Sequence, residues 1–162
     1  MTDRRPGWDR YFLDIAKAVA ARADCSRRRI GCVVVDPLTH DIIQTGYNGA
    51  PTGQPGCLEG ACPRGLHYER TVTSLRHMDF RTLCGCGGPW PCSKAVDPAS
   101  SYDTGPGACI SIHAEANALI RAGKLSRGAH MYVTDEPCGG CVKMIHGAGI
   151  QRVVWPNGKW EF

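Results

Sequence analysis

The chain has 162 residues, 43% of them hydrophobic, 21% charged and 7% aromatic, which is the profile of one globular domain and excludes a disordered or fibrous chain. Nineteen Lys and Arg against 15 Asp and Glu leave a formal charge of +4, enough to suit a nucleotide phosphate but short of the basic stripe of a nucleic-acid binder. No apolar run is long enough to span a bilayer and Met1 to Gly7 is polar, so ten cysteines are expected in a reducing cytoplasm, where metal ligation outweighs disulfide formation.

Apolar Trp8, Tyr11, Phe12, Ile15, Val19 and Ala20 recur at helical spacing and predict an amphipathic helix from Trp8 to Ala23. Ile30 to Val35 and Ile42 to Tyr47 are β-rich runs, joined through the turn chemistry of Pro37 to Asp41 into a hairpin. Asn48 to Gly107 then holds most of the prolines and half of the cysteines, with only fragments of periodicity around Tyr68 to Phe80. A loop of that length needs something besides a hydrophobic core to order it, and an insertion stapled by metal, at about 50–108, is the expectation. Beyond it the pattern predicts a helix from Ile112 to Ala122 stopped by Gly123, a strand from His130 to Thr134, a helix from Cys138 to Gly147 and a strand from Ile150 to Trp155. That order is an α/β layer design in a single domain spanning 1–162.

Two short segments carry chemistry: His113-Ala114-Glu115 and Pro137-Cys138-Gly139-Gly140-Cys141. One imidazole and two thiolates supply three zinc ligands and keep a fourth tetrahedral position open for water, the mark of a catalytic ion. The two-residue gap between Cys138 and Cys141 brings both sulfurs to one ion at the first turn of a helix, where free N–H groups and the dipole favour thiolate. Glu115, two residues after His113, stands where a proton shuttle is needed. Zinc brings the pKa of bound water from about 15.7 to about 7, and general acid–base transfer contributes roughly 10² to 10⁴ in rate. Taken singly, the Cys pair also reads as a structural zinc corner or redox pair, and His-x-Glu as coincidence. Together they match the signature H-x-E…P-C-x-x-C of zinc nucleobase deaminases.

The sequence resembles the cytidine and deoxycytidylate deaminase superfamily, and within it the deoxycytidylate (dCMP) deaminases. The matching segments are Cys25-Ser26-Arg27-Arg28-Arg29-Ile30-Gly31, Thr45-Gly46-Tyr47-Asn48-Gly49-Ala50-Pro51, Ile112-His113-Ala114-Glu115-Ala116-Asn117-Ala118, Met131-Tyr132-Val133-Thr134 and Gly147-Ala148-Gly149-Ile150. The resemblance implies a three-layer α/β/α sandwich on a mixed five-stranded sheet, of which the pattern makes four strands visible. It implies hydrolysis of dCMP to dUMP and ammonia, with Glu115 catalytic and zinc on His113, Cys138 and Cys141. It further implies that Asn48 bonds the sugar, that Ala114 lines the substrate site and that basic groups near the first strand, best Arg27 and Arg29, hold the 5′-phosphate. Read from the residues alone, the arginine triplet has the alternative of a solvated helix-to-strand turn, and Asn48 that of a plain turn residue ahead of Gly49. Asp135-Glu136 departs from the less acidic residues that many dCMP deaminases carry before the Pro-Cys pair.

By the same resemblance Cys25, Cys57, Cys62 and Cys109 are candidates for a second, structural zinc, although Gly56 stands where a histidine often precedes the first insertion cysteine. Cys84, Cys86 and Cys92, with His67 or His77, offer the donors for a further tetrahedral site, or are free thiols. The family's habits add a homo-oligomer, commonly a hexamer, and regulation by dCTP and dTTP. The competing functions are a deaminase of bases in nucleic acid, such as a tRNA adenosine deaminase, and a non-catalytic zinc-ordered binding module.

Overall fold

A computed structural model describes residues 5–74, 79–97, 99, 104 and 107–162. The chain divides into two compact units, one comprising residues 1–24, 28–49 and 112–162, the other residues 25–27 and 50–111.

The first unit is built on helix α1 (Trp8–Ala20), strands β1 (Gly31–Val35) and β2 (Ile42–Tyr47), and after the insertion helix α3 (Ala114–Ala122), strand β5 (His130–Val133), helix α4 (Gly139–Ala148) and strands β6 (Arg152–Trp155) and β7 (Gly158–Glu161). The sheet runs β2-β1-β5-β6-β7. Only β5 and β6 pair in parallel, the other neighbours being antiparallel, so the sheet is mixed as expected. The fifth strand is β7, which the pattern left unseen because four residues alternating half-buried and exposed after Pro156-Asn157 give almost no periodic signal.

Alternation along the strands sorts side chains to two faces. Val33, Val35, Tyr132 and Val154 meet Phe12 and Ala16 of α1. Cys32, Val34, Met131, Val133 and Val153 meet Ala114, Ala118 and Leu119 of α3 and Cys141 and Ile145 of α4. Central β1 is buried along its whole length, which explains its unbroken Val run, and the three layers follow. Gly46 sets the distance between α3 and the sheet: a Cβ there would sit 2.5 Å from the Ala118 nitrogen and against the Ala114 carbonyl. With no side chain on β2 at that point, α3 lies directly on the strand, and the Asn117 amide fastens it by donating to the Tyr47 carbonyl at 2.9 Å.

Two helix boundaries differ from the pattern by more than one residue. The first helix stops at Ala20, its last turn closing with Arg22 and Ala23 N–H groups on the Val19 and Ala20 carbonyls. The third begins at Ala114 and not Ile112, because Ile112 exchanges both backbone hydrogen bonds with Gly49.

The second unit carries secondary structure of its own. A short helix α2 (Pro63–Leu66) leads into a hairpin of β3 (Glu69–Ser74) and β4 (Asp79–Cys84), paired from Glu69↔Cys84 to Ser74↔Asp79. The fragmentary pattern from Tyr68 to Phe80 is this hairpin, too polar to announce itself. His77 lies outside the described residues. Among the described residues, no helix is long and apolar enough to cross a membrane.

Candidate active site and metal centre

His113 is the N-cap of α3 and Cys138 the N-cap of α4, both with extended backbone, while Glu115 and Cys141 sit in the first turns of the same two helices. Packing of α3 beside α4 on one face of the sheet therefore brings together two helix starts and the four residues singled out by motif. His113 Nδ1 lies 3.3 Å from Cys141 Sγ and 3.5 Å from Cys138 Sγ, and the three donor atoms all fall within 4.8 Å of one another. For zinc at about 2.0 Å from nitrogen and about 2.3 Å from sulfur, the N···S edge of a tetrahedron is about 3.5 Å. The donor set thus fits zinc in both chemistry and spacing.

His113 and Cys138 are exposed and Cys141 is buried, so the cluster faces outward from an anchored base. Glu115 is 4% exposed. Burial pushes its carboxyl above the ordinary value, against the opposing pull of its own backbone N–H, His113 and Cys141, and nearby Asp135 pushes the same way as burial. The Cys141 thiol is raised by burial, by Glu115 and by Cys138. A bound cation would reverse this, since a coordinating thiol gives up its proton outright.

The substrate candidates fall in several places. Ala114 is fully buried at the first position of α3. Asn48 is 8% exposed, and its amide braces the segment before β1: Oδ1 accepts from Ile30 N–H at 2.7 Å and Nδ2 donates to the Arg28 carbonyl at 2.9 Å. Arg29 is exposed in the sandwich unit, and Arg27 is exposed in the other. The middle arginine of the triplet, which the motif reading passed over, pairs with Asp135, Arg28 Nη2 lying 2.7 Å from Oδ2. The acidic departure before Pro137 thus has a partner, one too distant in the chain for any local pattern to signal.

Two further donor groups lie in the second unit. The Cys57 and Cys109 thiols both donate to Cys62 Sγ, and Cys25 lies close enough to interact with both of them, so the four thiols that the resemblance named share one neighbourhood. His67, Cys84, Cys86 and Cys92 bring their ligand atoms within 4.8 Å of one another.

Comparison with known proteins places this geometry. Residues 6–156 match the family model for the cytidine and deoxycytidylate deaminase zinc-binding region. The chain is 41% identical over 154 residues to the deoxycytidylate deaminase of Mycobacterium phage D29, covering 94% of this chain and 97% of that one. It is 35% identical over 153 residues to the deoxycytidylate deaminase of Schizosaccharomyces pombe, covering 93% of this chain but only 37% of the longer yeast protein. The crystal structure of dCMP deaminase from cyanophage S-TIM5 in complex with dCMP and dUMP superposes with a TM-score of 0.54 at 22% identity, over 94% of this chain and 82% of that one, a likeness of fold.

Proposed function

The chain belongs to the cytidine and deoxycytidylate deaminase family, and on that premise we propose that it is a zinc-dependent hydrolase converting dCMP to dUMP and ammonia in pyrimidine deoxynucleotide metabolism. The observation that carries the reading is the convergence of one imidazole and two thiols, at 3.3 and 3.5 Å, beside a buried glutamate at two neighbouring helix starts. The chain spans nearly the whole of the phage relative and little more than a third of the yeast one.

His113, Cys138 and Cys141 hold the ion. When bound, zinc supplies a Lewis acid that makes water nucleophilic near neutral pH. Glu115 does the proton work: it takes a proton from the attacking water, delivers it to N3 of cytosine, and transfers the second to the departing amine as the C4–N bond breaks. One water is consumed, C4 gains an oxygen, and ammonia leaves. The raised carboxyl of Glu115 suits a group that must both accept and return protons.

Asn48 and Ala114 contact the nucleoside, and Arg27 and Arg29 hold the 5′-phosphate. Arg28, through Asp135, sets the electrostatics near Glu115. Cys25, Cys57, Cys62 and Cys109 bind a structural zinc. We further read the protein as one deaminase domain with an insertion at about 50–108, a cytoplasmic homo-oligomer, hexameric in keeping with its family, and regulated by dCTP and dTTP.

Purified enzyme offered dCMP, CMP, deoxycytidine and a short single-stranded DNA, with ammonia release and the cytosine-to-uracil absorbance change followed, tests the reading. Turnover of dCMP is expected. Turnover of the oligonucleotide without dCMP would transfer the assignment to deaminases of nucleic acid, and zinc-loaded protein inert toward all four would leave the binding-module reading.

A further inference from the structure

We propose that His67, Cys84, Cys86 and Cys92 form a Cys₃His zinc site that closes the base of the β3–β4 hairpin. The proposal stands on the insertion's own geometry and holds whether or not the chain deaminates dCMP.

The four donor atoms lie within 4.8 Å of one another. His67 Nδ1 faces two sulfurs at once, Cys92 Sγ at 3.5 Å and Cys84 Sγ at 3.7 Å. A ring nitrogen has one proton or one lone pair in its plane, so it can satisfy only one thiol well. A tetrahedral ion removes the conflict, because the N···S edge it imposes is about 3.5 Å. The same edge recurs at His113, Cys138 and Cys141, so one chain shows the spacing twice.

Backbone N–H groups face two of the sulfurs. Cys86 N–H donates to Cys84 Sγ and Gly88 N–H donates to Cys86 Sγ, each placing a partial positive charge against a sulfur. Gly85 lets the two chains approach: its N–H continues the ladder to the Tyr68 carbonyl at 2.9 Å, and a Cβ there would stand 2.8 Å from the Leu66 carbonyl and against the Tyr68 ring. The ladder opens at Glu69↔Cys84, so His67 lies two residues before the first strand and Cys86 two residues after the second. A lone two-stranded ribbon is marginal in water. An ion bound at its open end fastens both strands where no apolar layer is available from their sequences, Glu-Arg-Thr-Val-Thr-Ser and Asp-Phe-Arg-Thr-Leu-Cys.

Zinc per chain, measured on the intact protein and on a Cys86→Ser/Cys92→Ser variant, gives the first test. The variant is expected to lose one equivalent while the zinc at His113 stays, and His67→Cys, which keeps four donors, is expected to retain the wild-type count. Unchanged zinc in the folded double variant would overturn the proposal. Should that variant not fold, alkylation of the native zinc-loaded wild type, mapped by mass spectrometry, decides. Exposed Cys86 is expected to resist iodoacetamide until a chelator is added. Labelling at the rate of a free thiol before chelation, or a disulfide among the three cysteines, would refute the site.

Discussion

Arg152 on β6 grips Asp9 on α1 through both carboxylate oxygens, Nη1 to Oδ1 at 2.6 Å and Nη2 to Oδ2 at 2.8 Å, and Tyr132 on β5 adds its hydroxyl to Oδ1 at 3.2 Å. One carboxylate in the first turn of the first helix thus ties that helix to two central strands from the far end of the chain.

The Arg152 guanidinium holds the Asp9 carboxyl below its ordinary value despite partial burial. A carboxylate whose folded pKa is depressed adds stability above the unfolded value of about 3.9, and that stability is lost as pH falls through the folded value. Asp9→Asn is therefore expected to lower the melting temperature at neutral pH and to converge on wild type as pH falls through the depressed folded value of Asp9. Because the Asp9 side chain is 46% exposed, screening keeps the effect near 1 kcal/mol, about the upper limit for an open pair. Thermal melts of both proteins across pH read it out, and a gap that persists in acid would contradict it.

Replacing Glu115 with Gln keeps shape and removes the titrating oxygen. Zinc content should be unchanged and kcat should fall by roughly 10² to 10⁴. Wild-type turnover would remove Glu115 from the mechanism, and lost zinc would show it to be a ligand.

Chelation should abolish activity, with zinc restoring it, and Cys141→Ser should not be rescued in this way. Cys141 is the buried member of the three donors, and without its thiolate the remaining His113 and Cys138 hold an exposed half-site. Rescue of Cys141→Ser at stoichiometric zinc would argue against ligation by this residue.

Asn48→Ala should cost about 1–3 kcal/mol, the usual penalty for leaving buried backbone partners unpaired, because Ile30 N–H and the Arg28 carbonyl both lose their side-chain contact. KM for the nucleotide should rise in the same variant. Urea unfolding and steady-state kinetics separate the two effects, and a rise in KM at unchanged stability would mean that the brace is dispensable.

Gly46→Ala and Gly147→Ala make a matched pair. The first drives a methyl into the α3 backbone and should destabilise by about 1–3 kcal/mol. The second lies in the last turn of α4, meets nothing within 4 Å and should gain up to about 0.5 kcal/mol from helix propensity, less than at an interior position. Equal effects of the two in chemical denaturation would refute the close approach of α3 to β2.

What could be read in advance follows from the kind of signal each element sends. The catalytic cluster was legible because metal chemistry fixes residue types at short spacings, and His113, Glu115, Cys138 and Cys141 fall within two helix starts. The buried strands β1 and β5 were legible because β-branched and apolar runs mark them. By contrast β7 and the β3–β4 hairpin are short and polar, and only their pairing partners define them. The Arg28–Asp135 pair joins positions 107 apart in the chain, so nothing local announced it. Asn48 was picked out as a recognition residue, but its role as a brace for the Arg28–Ile30 backbone depends on tertiary contacts that no motif encodes.

The last strand also governs how the molecule behaves in company. β7 ends the sheet after four residues, with Lys159 and Glu161 exposed along it and Glu161 engaged by both Lys159 and Arg152. A ledge so short and so charged makes a poor template for a foreign strand, which guards concentrated protein against fibre growth along that side.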